Sequence, residues 1–521
     1  MPAYYVAVDV GTRSARAAVF DACGGMLGRC VLALDLAEDG AGLAEYSSAQ
    51  IREAVTGAIA GALSDSGVPG HEVAGLGFDA TCSLVLSARD GTPLTLGGDG
   101  RDTLAWCDHR ATEEARICTL TGHPLIGLQG GAMSPEMQSP KLLWLKRHRP
   151  DLWARLGRAE DLADHLTRRA TGAAGVSRCT LVTKWPYLPG RGGWQQDFLG
   201  LVGLDDLPAR MPLADPPLPV GTRQGGLLPE MAARTGLPPG LPVGTGLIDA
   251  YAGGLGMMAF APGPPGRPHL GVIAGTSACV TLSGPEPVSD ARLWGPYDGA
   301  VLPGQWISEG GLSAAGAGLD RILAGWRGAG GPPGHRDVLE RLPALLARDG
   351  LELGRDLPLL PDFSGQRAPF LGLTRRDTAP PPAAESFDRL CARYWRGALA
   401  TALAIRHVIE VLGGAAIDSE VLTVTGGLGR HGLFAQLLAD ATGRTVRRAT
   451  EADAVLLGTM ITARAAAEGG GLARALAQVR PGITDTRPSA AQRTAFDRAY
   501  GMFLQDLGRI ARGTDPALAR P

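Results

Sequence analysis

One local plan occurs twice, about half a chain apart, and it constrains the fold more than any other feature of this 521-residue sequence. The stretch VDVGTRSARAAVF runs from Val8 to Phe20, and GVIAGTSACVTL runs from Gly271 to Leu282. Each spells β-branched residues, then Gly-Thr with a serine close behind, then more apolar residues: a strand, a tight turn and a returning strand. A chain of this length is too long for one core and suits two domains of about 200 to 260 residues each, so each half owns one hairpin. The spacing predicts a duplicated fold.

The intervening segments read as α/β. Residues 4 to 20 and 28 to 34 begin a meander, and a helix is expected from Ser47 or Ser48 to Gly67. VAGLGFDATCSLVLS reads as a buried strand pair turning around Asp79 to Cys82, and this β-β-α-β order excludes a sandwich. Residues 140 to 173 read as two helices broken at Pro150, without an equivalent in the second half, where a substrate-specific region would lie. APGPPGRP, from Ala261 to Pro268, is the linker candidate, dividing the chain into domains 1–260 and 261–521. Beyond it, residues 386 to 412 predict a long amphipathic helix ending at Gly413-Gly414. VLTVTGG then gives a strand and a glycine turn, LFAQLLADATG a helix, and ADAVLLGTMITARAAAEGG the final long helix before a frayed tail, ARGTDPALARP.

Composition narrows the partners. With 50 basic against 52 acidic residues the net charge is −2, which gives no electrostatic reason to expect nucleic acid or an anionic membrane, and a small ligand fits better. The eight cysteines contain no CxxC pair and no zinc-type spacing with histidine, as in a reduced, cytoplasmic protein. The N-terminus enters a strand without a basic leader, and no apolar run approaches the ~18 residues of a membrane span.

A Gly-Thr turn between strands presents backbone N–H groups and small hydroxyls to phosphate oxygens. One such turn is ordinary; two, each after a strand, point to a polyphosphate gripped at both ends. Gly11, Thr12 and Ser14 would hold one end of ATP, and Gly275, Thr276 and Ser277 the other. Asp9 is placed to hold Mg²⁺ through water, or to cap the turn, and Arg16 either adds charge at the transferred phosphate or lies on the surface. In GTGLIDAYAGGLG, Asp249 stands among small and apolar neighbours, where a buried charge is costly. It is the candidate base for phosphoryl transfer to an alcohol, or a helix N-cap. No GxxxxGK[ST] motif and no protein-kinase loop set occurs.

VDVGTRSARAAVFD, GTGLIDAYAGG, GVIAGTSACVT and VTGGLGRHGLFAQLLAD together resemble the phosphate-1, catalytic-aspartate, phosphate-2 and adenosine motifs of the FGGY carbohydrate kinases. The resemblance implies two domains of the actin/Hsp70/hexokinase fold, each ribonuclease-H-like, with ATP and sugar in the cleft between them. GFDATCSLV, WCDHRATEEA, MSPEMQSPKLLWLK, TKWPYL, LWGPYDGAVLPGQWISEGGLSAAG and LPDFSGQRAP are similar to the pentulose-kinase branch that includes D-ribulokinases. On that resemblance Ala80, Thr81 and Cys82 line the sugar pocket, and Lys184, Asp249 and Glu309 bond its hydroxyls. Asp108 either orients the pocket or caps a helix. Gly426 and Gly427 allow close approach of the nucleotide, with His431 where relatives usually carry an amide. Tyr251 stands where a histidine is frequent, and Arg13 where a small residue is common.

The expectation is an ATP- and Mg²⁺-dependent kinase of the primary hydroxyl of a five-carbon ketose, D-ribulose first. L-ribulose, xylulose and ribitol-type polyols are the alternative substrates, and homodimers are common among similar kinases. A non-catalytic ATP clamp and a sugar-sensing pseudokinase are the rival classes; the Asp249 motif and the asymmetric 140–173 insert argue against the first, and the intact Asp9 and Asp249 against the second.

Overall fold

The computed structural model describes all residues except 1, 2, 41, 98, 262, 264–266, 329, 330, 358–362, 365–368, 371–373, 376–384, 451, 452 and 515–521. Half of the 261–268 linker candidate, most of LPDFSGQRAP and the end of the tail lie outside the described residues.

Each copy of the hairpin belongs to one sheet. In the first, β1 (Tyr4–Val10) pairs antiparallel with β2 (Ser14–Phe20), and β2 with β3 (Met26–Ala33). Helix α1 (Ser48–Ser66) then carries the chain back to β4 (Val73–Ala80), which lies parallel to β1. Ser47 accepts the Gln50 N–H at the start of α1, and Gly67 ends it in the left-handed region, as the sequence predicts. Later strands β5 (Arg223–Gly226), β6 (Pro242–Gly244) and β7 (Leu247–Ile248) complete seven, in the order β5-β6-β4-β1-β2-β3 with β7 also on β4. Helix α2 (Asp249–Met258) follows directly.

The second sheet repeats this plan. β8 (His269–Ala274), β9 (Ala278–Gly284) and, beyond β10 (Trp294–Asp298), β11 (Trp306–Leu312) form the antiparallel set β8-β9-β11, with β10 on the edge. After α3 (Phe387–Val411), β12 (Val421–Thr425) lies parallel to β8. Helix α4 (Gly432–Thr442) leads to β13 (Thr445–Ala449), parallel to β12, and α5 (Ala454–Glu468) follows where α2 follows the first sheet. β14 (Ile483–Thr486) closes the outer edge.

The two halves interlock through α2 and α5. A Cβ on Gly256 would stand 1.8 Å from the Ala454 carbonyl oxygen, and one on Gly458 1.9 Å from that of Ala252, so these helices touch backbone to backbone. Further along, α5 lies on the first sheet, where Gly75 and Gly77 admit the carbonyls of Ala463 and Thr459. Leu456, Leu457, Met460 and Ile461 accordingly join the core that contains Tyr5, Ala7 and Phe20. The second half of the chain thus supplies a helix to the first sheet. α3, α4 and the terminal helix α6 (Arg493–Thr514) cover the second sheet.

Three sequence expectations fail locally. The segment around Asp79 to Cys82 is no hairpin: β4 stays in the main sheet, while Leu84–Ala88 joins a separate five-stranded sheet. In the 140–173 region, Leu156–Asp161 is a strand paired with Leu84–Ala88, splitting the second predicted helix into Pro150–Arg155 and Leu162–Thr171. α5 is not the final long helix, because the 22-residue α6 continues through Thr514 with Phe496 and Phe503 buried. All eight cysteines are free thiols. Among the described residues no helix is long and apolar enough to cross a membrane.

Candidate active site

Both Gly-Thr turns close through the glycine N–H, the second one residue tighter than the first. Gly11 N–H closes onto the Ser14 carbonyl at 3.0 Å, and Gly275 N–H onto that of Ser277 at 2.9 Å. Each is then pinned by its surroundings. Tyr46 donates to the Thr12 carbonyl at 2.7 Å and Trp106 Nε1 to the Thr12 hydroxyl at 3.0 Å, which leaves that hydroxyl its own proton to donate. The Thr276 carbonyl accepts Ala315 N–H at 2.9 Å and Ala317 N–H at 3.1 Å, at the start of the helix Gly316–Ala324. Arg13 projects outward and pairs with Glu38, so its bulk stays out of the turn.

Carboxylates gather where the strand ends meet. Asp9 is fully buried near the end of β1, in register with Asp79 on β4. Arg16 is neither free nor on the surface: it pairs with Asp9 and, through Nη1, with Asp453 Oδ2 at 3.0 Å. Burial raises Asp9 above the ordinary carboxylate range, Arg16 pulls it down, and Asp249 and Asp453 raise it again. Asp79 rises further for the same reasons, with Asp9 its main charged neighbour and the Thr459 hydroxyl of α5 donating to it. Asp249 is half-buried at the first position of α2, and its Oδ1 accepts the Ala250 N–H at 2.7 Å. It is therefore both a helix-start residue and a carboxylate within electrostatic reach of Asp9 and Asp79.

This donor set suits a hard cation. The Asp9 and Asp79 carboxyls share a hydrogen bond, their Oδ1 atoms are buried with no other donor, and carboxylate oxygen is what Mg²⁺ prefers. Among the described residues no group of three or more His, Cys, Asp or Glu side chains is placed to hold a metal ion.

The sugar-site candidates lie on one flank of these acids. Ala80 ends β4, Thr81 N–H donates to the Val10 carbonyl at 2.9 Å, and the Cys82 carbonyl accepts Gln138 Nε2 at 3.2 Å. Lys184 is no solvated loop charge: it is buried at the end of the helix Arg178–Lys184, its Nζ 5.7 Å from the Trp294 ring centroid. Its charge reaches Cys82 and Asp161. Glu309, buried on β11, accepts from Tyr251 Oη at 3.0 Å and Cys279 Sγ at 3.3 Å, so donors from both halves hold it.

In the adenosine motif Gly426 has φ +95°, and a Cβ there would lie 2.4 Å from the Ala274 carbonyl oxygen. Only glycine fits this bend. Gly427 has ordinary helical dihedrals, and exposed His431 caps α4 by accepting Leu433 N–H on Nδ1 at 3.3 Å. Asp108 belongs to a structural network: it pairs with Arg110 at 2.7 Å and accepts Ala44 N–H, while Arg110 also meets Glu45 at 2.7 Å. Ala111, not Asp108, occupies the N-cap position of the helix beyond it, with no side-chain hydrogen bond there.

Sequence reasoning missed Asp79, Asp453, Cys279 and Asp161. Asp79 carried one usable signal, an acid ending an otherwise apolar strand in GLGFDA. Asp161 is buried, raised to about 6 chiefly by burial, and bonded by Trp185 and Gln138.

Two duplicated sheets, each led by a Gly-Thr hairpin and joined by an interlocked helix pair over a carboxylate cluster, define the two-domain ATPase fold of sugar kinases. The structure of a gluconate kinase from Lactobacillus acidophilus superposes with a TM-score of 0.79 at 17% identity, covering 99% of both chains. The chain belongs to the FGGY family of carbohydrate kinases, whose N-terminal domain model matches residues 4–256 and whose C-terminal domain model matches 270–467. An FGGY carbohydrate kinase domain-containing protein of Homo sapiens is 34% identical over 96% of this chain and 96% of its own length. A D-ribulokinase of Saccharomyces cerevisiae is 30% identical over 89% of this chain and 72% of its own.

Proposed function

We propose that this carbohydrate kinase transfers the γ-phosphoryl group of ATP to the primary hydroxyl of a pentulose, D-ribulose above others, giving the 5-phosphate. The observation that carries the reading is Asp249, which opens α2 beside Asp9 and two residues before Tyr251, the donor to Glu309. One helix start thereby links the phosphate end of the cleft to the polyol end. The yeast D-ribulokinase relative supports the choice of sugar.

In this reading Lys184 donates to sugar hydroxyls and Glu309 accepts from them, fixing the ketose with its terminal hydroxyl toward Asp249. The Asp249 carboxylate accepts the hydroxyl proton as the oxygen attacks the γ-phosphorus and ADP departs. Both Gly-Thr turns hold the phosphate chain in line. Asp9, with Asp79 beside it in the sheet, would hold Mg²⁺, which would supply charge neutralisation on the phosphates. Closure of the two sheets over the sugar excludes water that would otherwise take the phosphoryl group.

ADP release with Mg-ATP across D-ribulose, L-ribulose, D-xylulose, L-xylulose, ribitol, erythritol and glycerol tests this. The expected result is a kcat/KM for D-ribulose well above the rest. A different preferred sugar moves the substrate and keeps the mechanism, whereas sugar-independent hydrolysis or no turnover overturns the reading.

A further inference from the structure

Asp161 is a buried acid that the proposed chemistry leaves unused. It ends the strand Leu156–Asp161 and stands at the N-cap position of the helix Leu162–Thr171, where an aspartate ordinarily accepts an N–H of its own helix. Here the carboxylate makes no such bond. Its Oδ2 accepts Trp185 Nε1 at 2.5 Å instead, and its Oδ1 accepts Gln138 Nε2 at 2.9 Å. The side chain is thus turned from its own helix toward two others, at the end of Arg178–Lys184 and the start of Gln138–His148.

Both partners lead to the candidate sugar pocket. Gln138 Nε2 carries two protons, and the second goes to the Cys82 carbonyl at 3.2 Å. An ionised Asp161 and a carbonyl both only accept, so the amide orientation is forced, and it leaves Gln138 Oε1 buried without a donor. Trp185 follows Lys184 directly at the end of its helix. The start of that helix is held by Asp164, whose Oδ1 accepts Ser177 N–H at 2.8 Å and whose Oδ2 accepts the Thr180 hydroxyl at 2.6 Å. Asp161 and Asp164, three residues apart, therefore hold the Lys184 helix at both ends. Two ammonium charges also act on Asp161: that of Lys184 and that of the fully buried Lys141, whose Nζ donates to the Ala105 carbonyl at 2.8 Å.

We propose that Asp161 is a positioning residue for the sugar, acting through Trp185 and Gln138 to fix Lys184 against the Ala80–Cys82 wall rather than on the sugar itself. This rests on the pentulose-kinase reading of the cleft. The polyol must meet Lys184 and that wall at once, and one carboxylate tied to both sets their spacing. An amide cannot replace it. Asparagine offers one acceptor and one donor, so at position 161 its Nδ2 would face either the Trp185 N–H or the Gln138 N–H. A flipped Gln138 would accept from that Nδ2 but would then set its own Oε1 against the Cys82 carbonyl. Each choice gives up one arm.

The test is steady-state kinetics of the full-length protein with the panel sugar of highest kcat/KM, varying sugar and Mg-ATP separately. Asp161→Asn should raise the sugar KM about tenfold or more, the scale of one hydrogen bond to a charged group, with the Mg-ATP KM within about twofold and kcat within about threefold. Binding lost equally from ground and transition states shows in KM and not in kcat. Gln138→Met and Trp185→Phe each remove one arm and should each raise the sugar KM; these milder changes carry the test if Asp161→Asn fails to fold. Gln138→Met added to Asp161→Asn should raise the sugar KM by less than the product of the two single factors, because both act on one network. An unchanged sugar KM in the folded variants, or sugar and Mg-ATP KM rising together, overturns the positioning role and leaves the kinase reading standing. Should no panel sugar turn over, that reading falls and calorimetric sugar affinity decides the inference: binding weakened about tenfold by Asp161→Asn supports it, and equal affinity, or no binding to either protein, overturns it.

Discussion

Asp249 and Tyr251 sit two residues apart on the first turn of α2, and each makes a separable demand on the chemistry. Asp249→Asn keeps the shape and the bond to Ala250 N–H but removes the proton acceptor. Its kcat should fall by about 10²- to 10⁴-fold, the usual contribution of a positioned base, while calorimetric sugar affinity stays close to wild type. A kcat within tenfold of wild type would remove Asp249 from the role of base. Tyr251→Phe leaves Glu309 with only the Cys279 thiol, a weak donor, among its two observed protein partners. A misplaced Glu309 should raise the sugar KM roughly fivefold, equivalent to about 1 kcal/mol, with kcat little changed. A fall in kcat at constant KM would instead place Tyr251 with the reacting groups. Asp9, Asp249 and both turns were legible because their neighbours in sequence are also their neighbours in space. Asp79 was not, since its partner Thr459 lies 380 residues away.

At the scale of elements, α2 and α5 decide whether the halves stay together. Their contact depends on Gly256 and Gly458, where an added methyl meets backbone oxygens at 1.8 and 1.9 Å that cannot rotate aside. Gly458→Ala should therefore destabilise the fold by about 1 to 3 kcal/mol despite the better helix propensity of alanine, measured as a lowered urea midpoint. A midpoint equal to or above wild type would show that the helices slide apart at little cost. The sequence announced both hairpins, α1, α3 and the glycine turn after β12, because each has local punctuation: Ser47 before α1, Gly67 after it, Gly413 after α3. It did not announce the strand Leu156–Asp161, whose sequence LGRAED lacks β-branched residues and becomes a strand only because Leu84–Ala88 offers an edge. The assignment of α5 to the first sheet was hidden for a related reason. A helix of small and apolar residues shows that it is buried, and says nothing of which sheet buries it.

For the whole molecule, the two halves should answer acid in opposite senses. His269 begins β8 and is pushed down to about 4 by burial, with Nε2 2.7 Å from the Thr423 hydroxyl; His407 on α3 is also pushed down to about 4, again chiefly by burial. Both lie in the second half. An imidazole held neutral in the fold but free to protonate when unfolded makes the unfolded chain the better proton binder between pH ~6.5 and ~4. Stability from these groups is thus present above about pH 6.5 and lost as pH falls toward 4, by ~3 kcal/mol for each histidine. Asp161 in the first core acts the other way, raised to about 6 from 3.8. Its folded form binds a proton more readily, so its stability contribution is full below about pH 4 and is lost as pH rises through 6. Lowering the pH from 7 to 4.5 therefore strengthens this part of the first core while it weakens the second. Hydrogen exchange read by mass spectrometry should show β8, β12 and α3 losing protection before β1, β4 and Leu156–Asp161. His269→Gln should flatten the acid loss in β8 and β12, because a neutral amide there has no proton to gain. Simultaneous loss of protection in both halves would mean that the α2–α5 contact couples them more tightly than the titrating groups divide them.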